Sequence, residues 1–561
     1  MRLKRIKIRH FRSIEEIEVR FPDKKPVVLF GPNNVGKSNI LKALDCLLGE
    51  KYTPYIDFQD SDYFQRDKDQ FPKIYFEAEF DENIHTSREA STNTLCFATN
   101  HLHEVRRSET ETENSFIFPN GNKMFLKQEE RGRCEFILID ATRDIGRHLS
   151  YYSRYSILSR MSLKMHKALV DEKKDELKTH FDQLSDAFSS VPEYKGFMKQ
   201  LNQSILSSLD GFEHKLEIDL SAYDPNNYFH SLRIVAKEGK SIRSFEEFGT
   251  GEQQILLMSF FRAFAEVFKN NRYILGIEEP EANLHPLAQK WLAKHVESMA
   301  NDGLQIIITT HSPYFLRMSG VEGMVKITKE TGLTHSRQLD RNELSDWFKS
   351  KGANPEKTKP ETILPFLSSN TFNDQLSGFF ARKVVLVEGP SEYLALPNYF
   401  SNAGYDLIKS GVEIINCQGK EQIARNYRLF TAYDIPCFCL FDADAKEDSD
   451  KRANSELGGL FEFDPSNMDH TDQNFTIDAK LKYGYFGGNL ETYLKAIDPE
   501  YSKLEAQIEG GKPLRAKVMS ERTDFNPPFV DLIAAALELE KPKAKAAPAP
   551  APAPNDDDIP F

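Results

Sequence analysis

Three sets of residues have the types and spacing of chemical sites. The first is Gly31-Pro32-Asn33-Asn34-Val35-Gly36-Lys37-Ser38, a G-x-x-x-x-G-K-S run between the apolar stretch Val27–Phe30 and the helix-like Asn39–Leu44. Strand, loop and helix in that order let the backbone around Gly31, Asn33, Asn34 and Gly36 wrap a β-phosphate at a helix N-terminus. Lys37 brings a point charge to the β- and γ-phosphates, and the Ser38 hydroxyl holds Mg²⁺. The second set lies at the ends of two apolar runs. Tyr273–Ile277 ends in Glu278, placed to hold Mg²⁺, and Glu279, placed to polarise the water that attacks a γ-phosphate. Ile306–Ile308 leads through Thr309-Thr310 to His311, within reach of the same phosphate. Gly249-Thr250-Gly251-Glu252 starts an apolar helix, so its N–H groups face an anion, and Gln65 is a candidate sensor of the γ-phosphate. The third set is acidic: Glu388 closes the strand Val384–Val387, Glu392 follows one helical turn later, and Asp442-Ala443-Asp444 closes Pro436–Phe441. Acids at neighbouring strand ends are hard oxygen ligands for divalent metals.

The elements that must position these groups give an α/β chain. Strands are expected at Leu3–Ile8, Ile17–Phe21, Ile74–Phe80, Lys215–Asp219, Leu232–Ala236 and Val412–Asn416, the last closing on Gln418-Gly419-Lys420. From Arg143 to about Leu209, apolar residues spaced by three and four, such as Leu158, Met161, Met165 and Leu169, predict a helical insert. The chain therefore divides into a nucleotide-binding head over 1–340 with its insert at about 143–210, a linker over 341–378 whose start, Asn342–Pro360, has little apolar periodicity, a second α/β domain over 379–540, and a tail over 541–561. Its 561 residues exceed what one core holds, which agrees with several domains.

A net charge of −13 excludes coating nucleic acid by bulk electrostatics, so any DNA contact needs a local basic face or metal ions. The six cysteines form no C-x-x-C pair, as in reduced cytoplasmic proteins. No run approaches the roughly 18 apolar residues of a membrane span.

The loop Gly31–Ser38, Gly249–Gln254, Glu278-Glu279-Pro280-Glu281 with Leu284-His285-Pro286, and Thr310-His311-Ser312, together with the opening Ile8–Ile14, resemble the ABC-type ATPase heads of chromosome maintenance and DNA repair proteins. That resemblance implies ATP held between the phosphate loop of one head and the Gly249–Gln254 segment of another, hence a dimer. Residues from Phe379 onward resemble the topoisomerase–primase (TOPRIM) metal domain, a Rossmann-like fold. The order of head and TOPRIM domain resembles the overcoming-lysogenization-defect (OLD) nucleases. The OLD resemblance implies Mg²⁺ or Mn²⁺ on Glu388, Glu392, Asp442 and Asp444, a later acid at Glu491, an assisting lysine at Lys512 or Lys517, DNA as substrate, and defence against phage. The rival classes are a repair ATPase that clamps DNA without cutting it and a TOPRIM enzyme of other chemistry, such as a primase. The tail alternates Lys, Ala and Pro and ends Asp556-Asp557-Asp558-Ile559-Pro560-Phe561, resembling the acidic tip of bacterial single-stranded-DNA-binding proteins. That likeness implies partners that receive Phe561 in an apolar pocket.

Overall fold

The computed structural model describes residues 1–86, 90–99, 114–126, 128–140, 272–371, 373–444, 448–480 and 482–541, with scattered positions between 173 and 263. These group into two compact units, residues 1–27 with 38–310, and residues 28–37 with 311–561.

The chain begins with β1 (Leu3–Phe11) and β2 (Ile14–Arg20). Leu3, Ile6, Ile8 and Phe11 are buried while Arg5, between them, pairs with Glu18, Glu77 and Glu79, so apolar and charged residues go to different environments. Next come β3 (Val27–Phe30), α1 (Lys37–Leu48), β4 (Tyr75–His85), β5 (Ser91–Ala98), β6 (Ser115–Ile117) and β7 (Cys134–Ile139). In the first unit β2, β1, β4, β5 and β6 form an antiparallel sheet in that order. After the hairpin of β8 (Val235–Glu238) and β9 (Ser241–Ser244) come β10 (Arg272–Glu278), α2 (Pro286–Asn301) and β11 (Gln305–Thr310). β10 lies parallel to both β7 and β11, and every residue of β11 is buried, the pattern of an interior parallel strand. The helical insert expected over about 143–210 falls almost wholly outside the described residues, as does the strand expected at Lys215–Asp219; the scattered positions from 173 to 187 are helical.

In the second unit β3 runs parallel to β12 (Met324–Glu330), which pairs with β13 (Leu333–Gln338). The segment expected as a linker folds as α3 (Arg341–Ser350), α4 (Ile363–Asn370) and a 3₁₀ run over Asn373–Phe380. A capping box starts α3, with Asp340 accepting from Glu343 N–H and Glu343 from Asp340 N–H, and Leu344, Phe348, Ile363 and Leu367 are buried. Short helices hide their periodicity because each offers only two to three turns of pattern.

The strands and longer helices that follow are β14 (Lys383–Val387), α5 (Pro390–Asn402), β15 (Val412–Asn416), α6 (Ile423–Ala432), β16 (Cys437–Asp442), α7 (Asp448–Phe461), β17 (Phe475–Asp478), β18 (Tyr483–Phe486), α8 (Leu490–Ile497), α9 (Lys512–Ser520) and α10 (Phe529–Ala536). The sheet order is β15-β14-β16-β18-β17, parallel except for β17. Tyr399, Phe486, Tyr493, Phe529 and Ile533 fill one side of it. Phe30 of β3 meets Phe379, Phe380 and Tyr433 at 5.6, 5.9 and 5.9 Å between rings. Beside them the buried Lys326 donates to Tyr433 O at 2.9 Å and Asp434 O at 3.2 Å, and burial lowers its ammonium pKa to about 8.

Because Leu344 is fully buried, Leu344→Ala is expected to cost about 2–5 kcal/mol in urea unfolding. A loss under about 1 kcal/mol, the scale of a surface change, would return this segment to a linker.

Candidate nucleotide and metal sites

The phosphate loop forms because two glycines accept backbone angles other residues resist. Gly31 has φ +141° and Gly36 φ +104°, and a Cβ on Gly31 would lie 2.2 Å from Ile327 O, so strand β12 leaves no room for a side chain there. Asn34 also takes positive φ, while Asn33 and Asn34 are exposed. Lys37 Nζ donates to Gly31 O at 2.9 Å and Pro32 O at 2.8 Å, and stands 2.9 Å from His311 Nε2. The loop lysine and the histidine after β11 therefore meet. Ser38, the second residue of α1, is exposed.

In the first unit Glu278 ends β10 and is buried, opposite Thr309 in register. Glu279 follows with φ +43°, its N–H donating to Thr309 O at 2.9 Å and Thr309 Oγ1 at 3.1 Å. A non-glycine residue held at positive φ carries a backbone cost of roughly 1–3 kcal/mol that its surroundings must offset. Gln65 also has positive φ and is exposed, its N–H bonded to Arg12 O. Arg12 was not singled out by its chemistry in the sequence, yet it holds Asp62 at 2.8 and 3.0 Å and reaches Asn39 Oδ1 at 3.3 Å, next to Ser38. In the Gly249–Glu252 segment, expected to face an anion, Gly249 N–H donates to Glu252 Oε2 at 3.2 Å, so Glu252 caps its own turn. A Cβ on Gly251 would come 3.2 Å from Leu284 Cδ2. Thr250 and Gln254 lie outside the described residues.

The acidic set is gathered in the second unit. The chain leaves β14 for β15 on one side and later returns to β16 on the other, so the C-terminal ends of β14 and β16 flank a topological switch point. Glu388 ends β14 and Asp442 ends β16; Asp442 N–H donates to Glu388 Oε2 at 3.3 Å. Glu392 is buried in the first turn of α5 and accepts from Gly389 N–H at 3.1 Å. Glu491, buried at the start of α8, accepts from Ser391 Oγ at 3.1 Å. Asp444 receives Lys420 Nζ at 2.7 Å, and Lys420 is itself buried. The turn Gln418-Gly419-Lys420, with φ +61° and +128° at its first two residues, delivers that lysine. Sequence reading saw the turn and missed its role, since nothing local links Lys420 to Asp444. Of the two candidate lysines, Lys512 at the start of α9 is near enough to favour the charged form of Glu392. Lys517 is exposed in the last turn of that helix.

Electrostatics make this cluster costly on its own. Burial pushes the Glu388 carboxyl up to about 7, with Asp444 and Glu392 adding to the rise against the pull of Lys420. Burial, then Glu392, Glu388 and Asp444, holds Asp442 well above the usual carboxylate range, and burial with Glu491 raises Glu392. Such mutual repulsion is what a divalent cation relieves, so the donor set fits Mg²⁺ or Mn²⁺ in kind. Among the described residues no three acid, imidazole or thiol groups converge on one ion-sized point.

With this geometry in hand, comparison with known proteins is informative. Residues 1–316 match the family described as AAA ATPase domain, and residues 379–444 match the overcoming lysogenization defect protein-like TOPRIM domain. The chain belongs to that AAA ATPase family and carries an OLD-like TOPRIM domain after its head. It is similar to the OLD nuclease of Thermus scotoductus, 26% identical across 81% of this chain and 84% of that one. It is also similar to Endonuclease GajA of Bacillus cereus, 23% identical across 88% and 86%, and to the Old nuclease of Escherichia phage P2, 24% identical across 50% and 49%. Among the described residues no helix is long and apolar enough to cross a membrane.

The pH dependence follows from the raised Glu388. A carboxyl whose folded pKa exceeds its unfolded one costs nothing below the unfolded value and its full penalty above the folded value. In chelator, thermal stability is therefore expected to fall as pH rises from about 4.5 to about 7, and Glu388→Gln to flatten that fall. An equal slope in the variant would remove Glu388 as its source.

Proposed function

We propose that this chain is an ATP-binding and ATP-hydrolysing, divalent-metal-dependent DNA endonuclease of the OLD type, cytoplasmic, acting in defence against phage, whose ATPase head regulates its TOPRIM nuclease. The observation that carries the reading is the gathering of Glu388, Glu392, Asp442 and Asp444 around the β14/β16 switch point, in the stretch matched as OLD-like TOPRIM, with Glu491 beside them through Ser391. The names of the relatives, OLD nuclease and Endonuclease GajA, point the same way.

In the nuclease, bound Mg²⁺ or Mn²⁺ supplies Lewis-acid charge to the attacking and leaving oxygens of a phosphodiester. Glu388, Asp442 and Glu392 are the residues that would hold it, losing their protons as they do so. Lys420 fixes Asp444 through its ion pair, and Ser391 fixes Glu491. Lys512, beside Glu392, adds positive charge where a DNA phosphate would approach, and is preferred to Lys517 for that role.

In the head, the loop from Gly31 to Ser38 binds the ATP phosphates with Lys37. Ser38 and Glu278 take the accompanying Mg²⁺, Glu279 orients the attacking water, and His311 stands beside Lys37 to meet the γ-phosphate. Gly249, Gly251 and Glu252 face the ATP of a second copy, so the working form is a dimer or higher oligomer, with Gln65 as γ-phosphate sensor. The tail is read as a docking peptide for proteins that recognise single-stranded-DNA-binding-protein tips, with Phe561 as its anchor. A peptide covering 550–561 is expected to bind such a receptor weakly and to lose binding without Phe561; equal affinity of both peptides would reject this role.

The decisive assay is cleavage of supercoiled DNA by the purified chain with Mg²⁺ or Mn²⁺, with and without ATP. Asp442→Ala and Glu388→Ala are expected to lose roughly 100-fold or more of cleavage while ATP hydrolysis persists. Lys37→Ala is expected to lose nucleotide binding, and Glu279→Gln to bind ATP without turning it over. Undiminished nicking by either acid variant would end the nuclease assignment, and parental hydrolysis by Glu279→Gln would end its water-orienting role.

A further inference from the structure

A cavity of about 900 Å³ opens in the second unit between the end of α3, the segment after it, α6 and α7. That is within the range of small-molecule sites, roughly 300–1,000 Å³. Phe348, Phe366 and Ala353 contribute apolar wall. Lys357, Arg425, Arg428 and Arg452 bring four positive charges against the two carboxylates of Glu421 and Glu456. The cavity shares none of its lining with the phosphate loop or the strand-end acids.

Two of these cations are placed unusually. Arg425 and Arg428 stand three residues apart on α6, hence on one face, and are only 4% and 3% exposed. Arg428 pairs with Glu456 and donates from Nε to Lys351 O at 2.9 Å, yet its Nη2 has no hydrogen-bond partner. For Arg425, no carboxylate among the described residues pairs with it. Its Nη2 reaches only Gln375 Oε1 at 3.4 Å and Asn426 Oδ1 at 3.3 Å, both long, and its Nε has no partner.

A guanidinium does not lose its proton in a protein, so burying it without a counter-charge carries a lasting desolvation penalty. A fold keeps such a group where an anion completes it. The planar N–H fork of arginine matches phosphate oxygens, and Lys357 and Arg452, both exposed at the mouth, raise the local concentration of anions.

We propose that this cavity is a binding site for a phosphomonoester of nucleotide size, its phosphate held by Arg425 and Arg428 and its base against the half-buried Phe366. The ligand is either a free nucleotide or the 5′-phosphorylated end of a DNA strand, which present the same chemistry. The site does not depend on the nuclease reading, because binding is measured without cleavage.

The test is thermal melting of the full chain carrying Lys37→Ala, to silence the phosphate loop, in chelator, with AMP, adenosine, and a short oligonucleotide with or without its 5′-phosphate. AMP or the 5′-phosphorylated oligonucleotide is expected to raise Tm where the unphosphorylated probe does not, and which of them does so identifies the source. Arg425→Gln is expected to abolish that rise while melting, without probe, no lower than its parent, since it removes an uncompensated charge. Lys357→Glu, at the exposed mouth, is expected to weaken binding several-fold without altering the probe-free Tm, and decides the matter if Arg425→Gln does not fold. No rise with any phosphorylated probe, or an undiminished rise in both variants, would overturn the proposal.

Discussion

The second unit is built around the repulsion among carboxylates that its sheet brings to one edge. Glu388 and Asp442 end adjacent parallel strands, Glu392 and Glu491 start the helices that follow β14 and β18, and Asp444 lies two residues past Asp442. Parallel strands place all their C-terminal ends at one edge, so a sequence that writes acids at those ends makes an anionic cluster whether or not it is favourable locally. Burial then raises the affinity of Glu388, Glu392 and Asp442 for protons, or for a cation in their place. The rest of the unit contributes compensation: Lys420 on Asp444, Ser391 on Glu491, the Gly389 N–H on Glu392 and Lys512 beside it.

The same unit contains the strand that presents the phosphate loop. β3 pairs with β12, and Phe30 packs on Phe379, Phe380 and Tyr433, the last at the C-terminal end of α6. Lys326 of β12 donates to carbonyls at that same helix end. The strand that presents the loop is thus anchored on the C-terminal end of α6.

The sites were legible to different depths in the sequence. The phosphate loop was readable because its chemistry is local: Gly31 and Gly36 meet a backbone requirement written within eight residues. The acids were readable because strand ends are, and an apolar run ending in Glu-Gly or Asp-Ala-Asp is visible without tertiary knowledge. Lys420 was not, since its partner lies 24 residues away across a crossover. That Lys512 rather than Lys517 lies beside Glu392 follows from the placement of α9, which spacing alone does not give. The helices over 341–370 were read as linker although Asp340 and Glu343 spell a capping box, because α3 and α4 are only 10 and 8 residues long. The burial of Arg425 and Arg428 on α6 has no local signal in the sequence.

The central claim is that this buried acid cluster exchanges protons for a divalent cation. It is tested most directly by calorimetric titration of Mn²⁺ into the full chain near pH 6.5, in buffers of differing ionisation heat. The account predicts metal binding with release of about one proton or more, because Glu388 is pushed up to about 7 and Asp442 stands well above the usual range, and predicts that Glu388→Gln reduces the release. Binding with no proton release, or binding unchanged in Asp442→Asn, would contradict it.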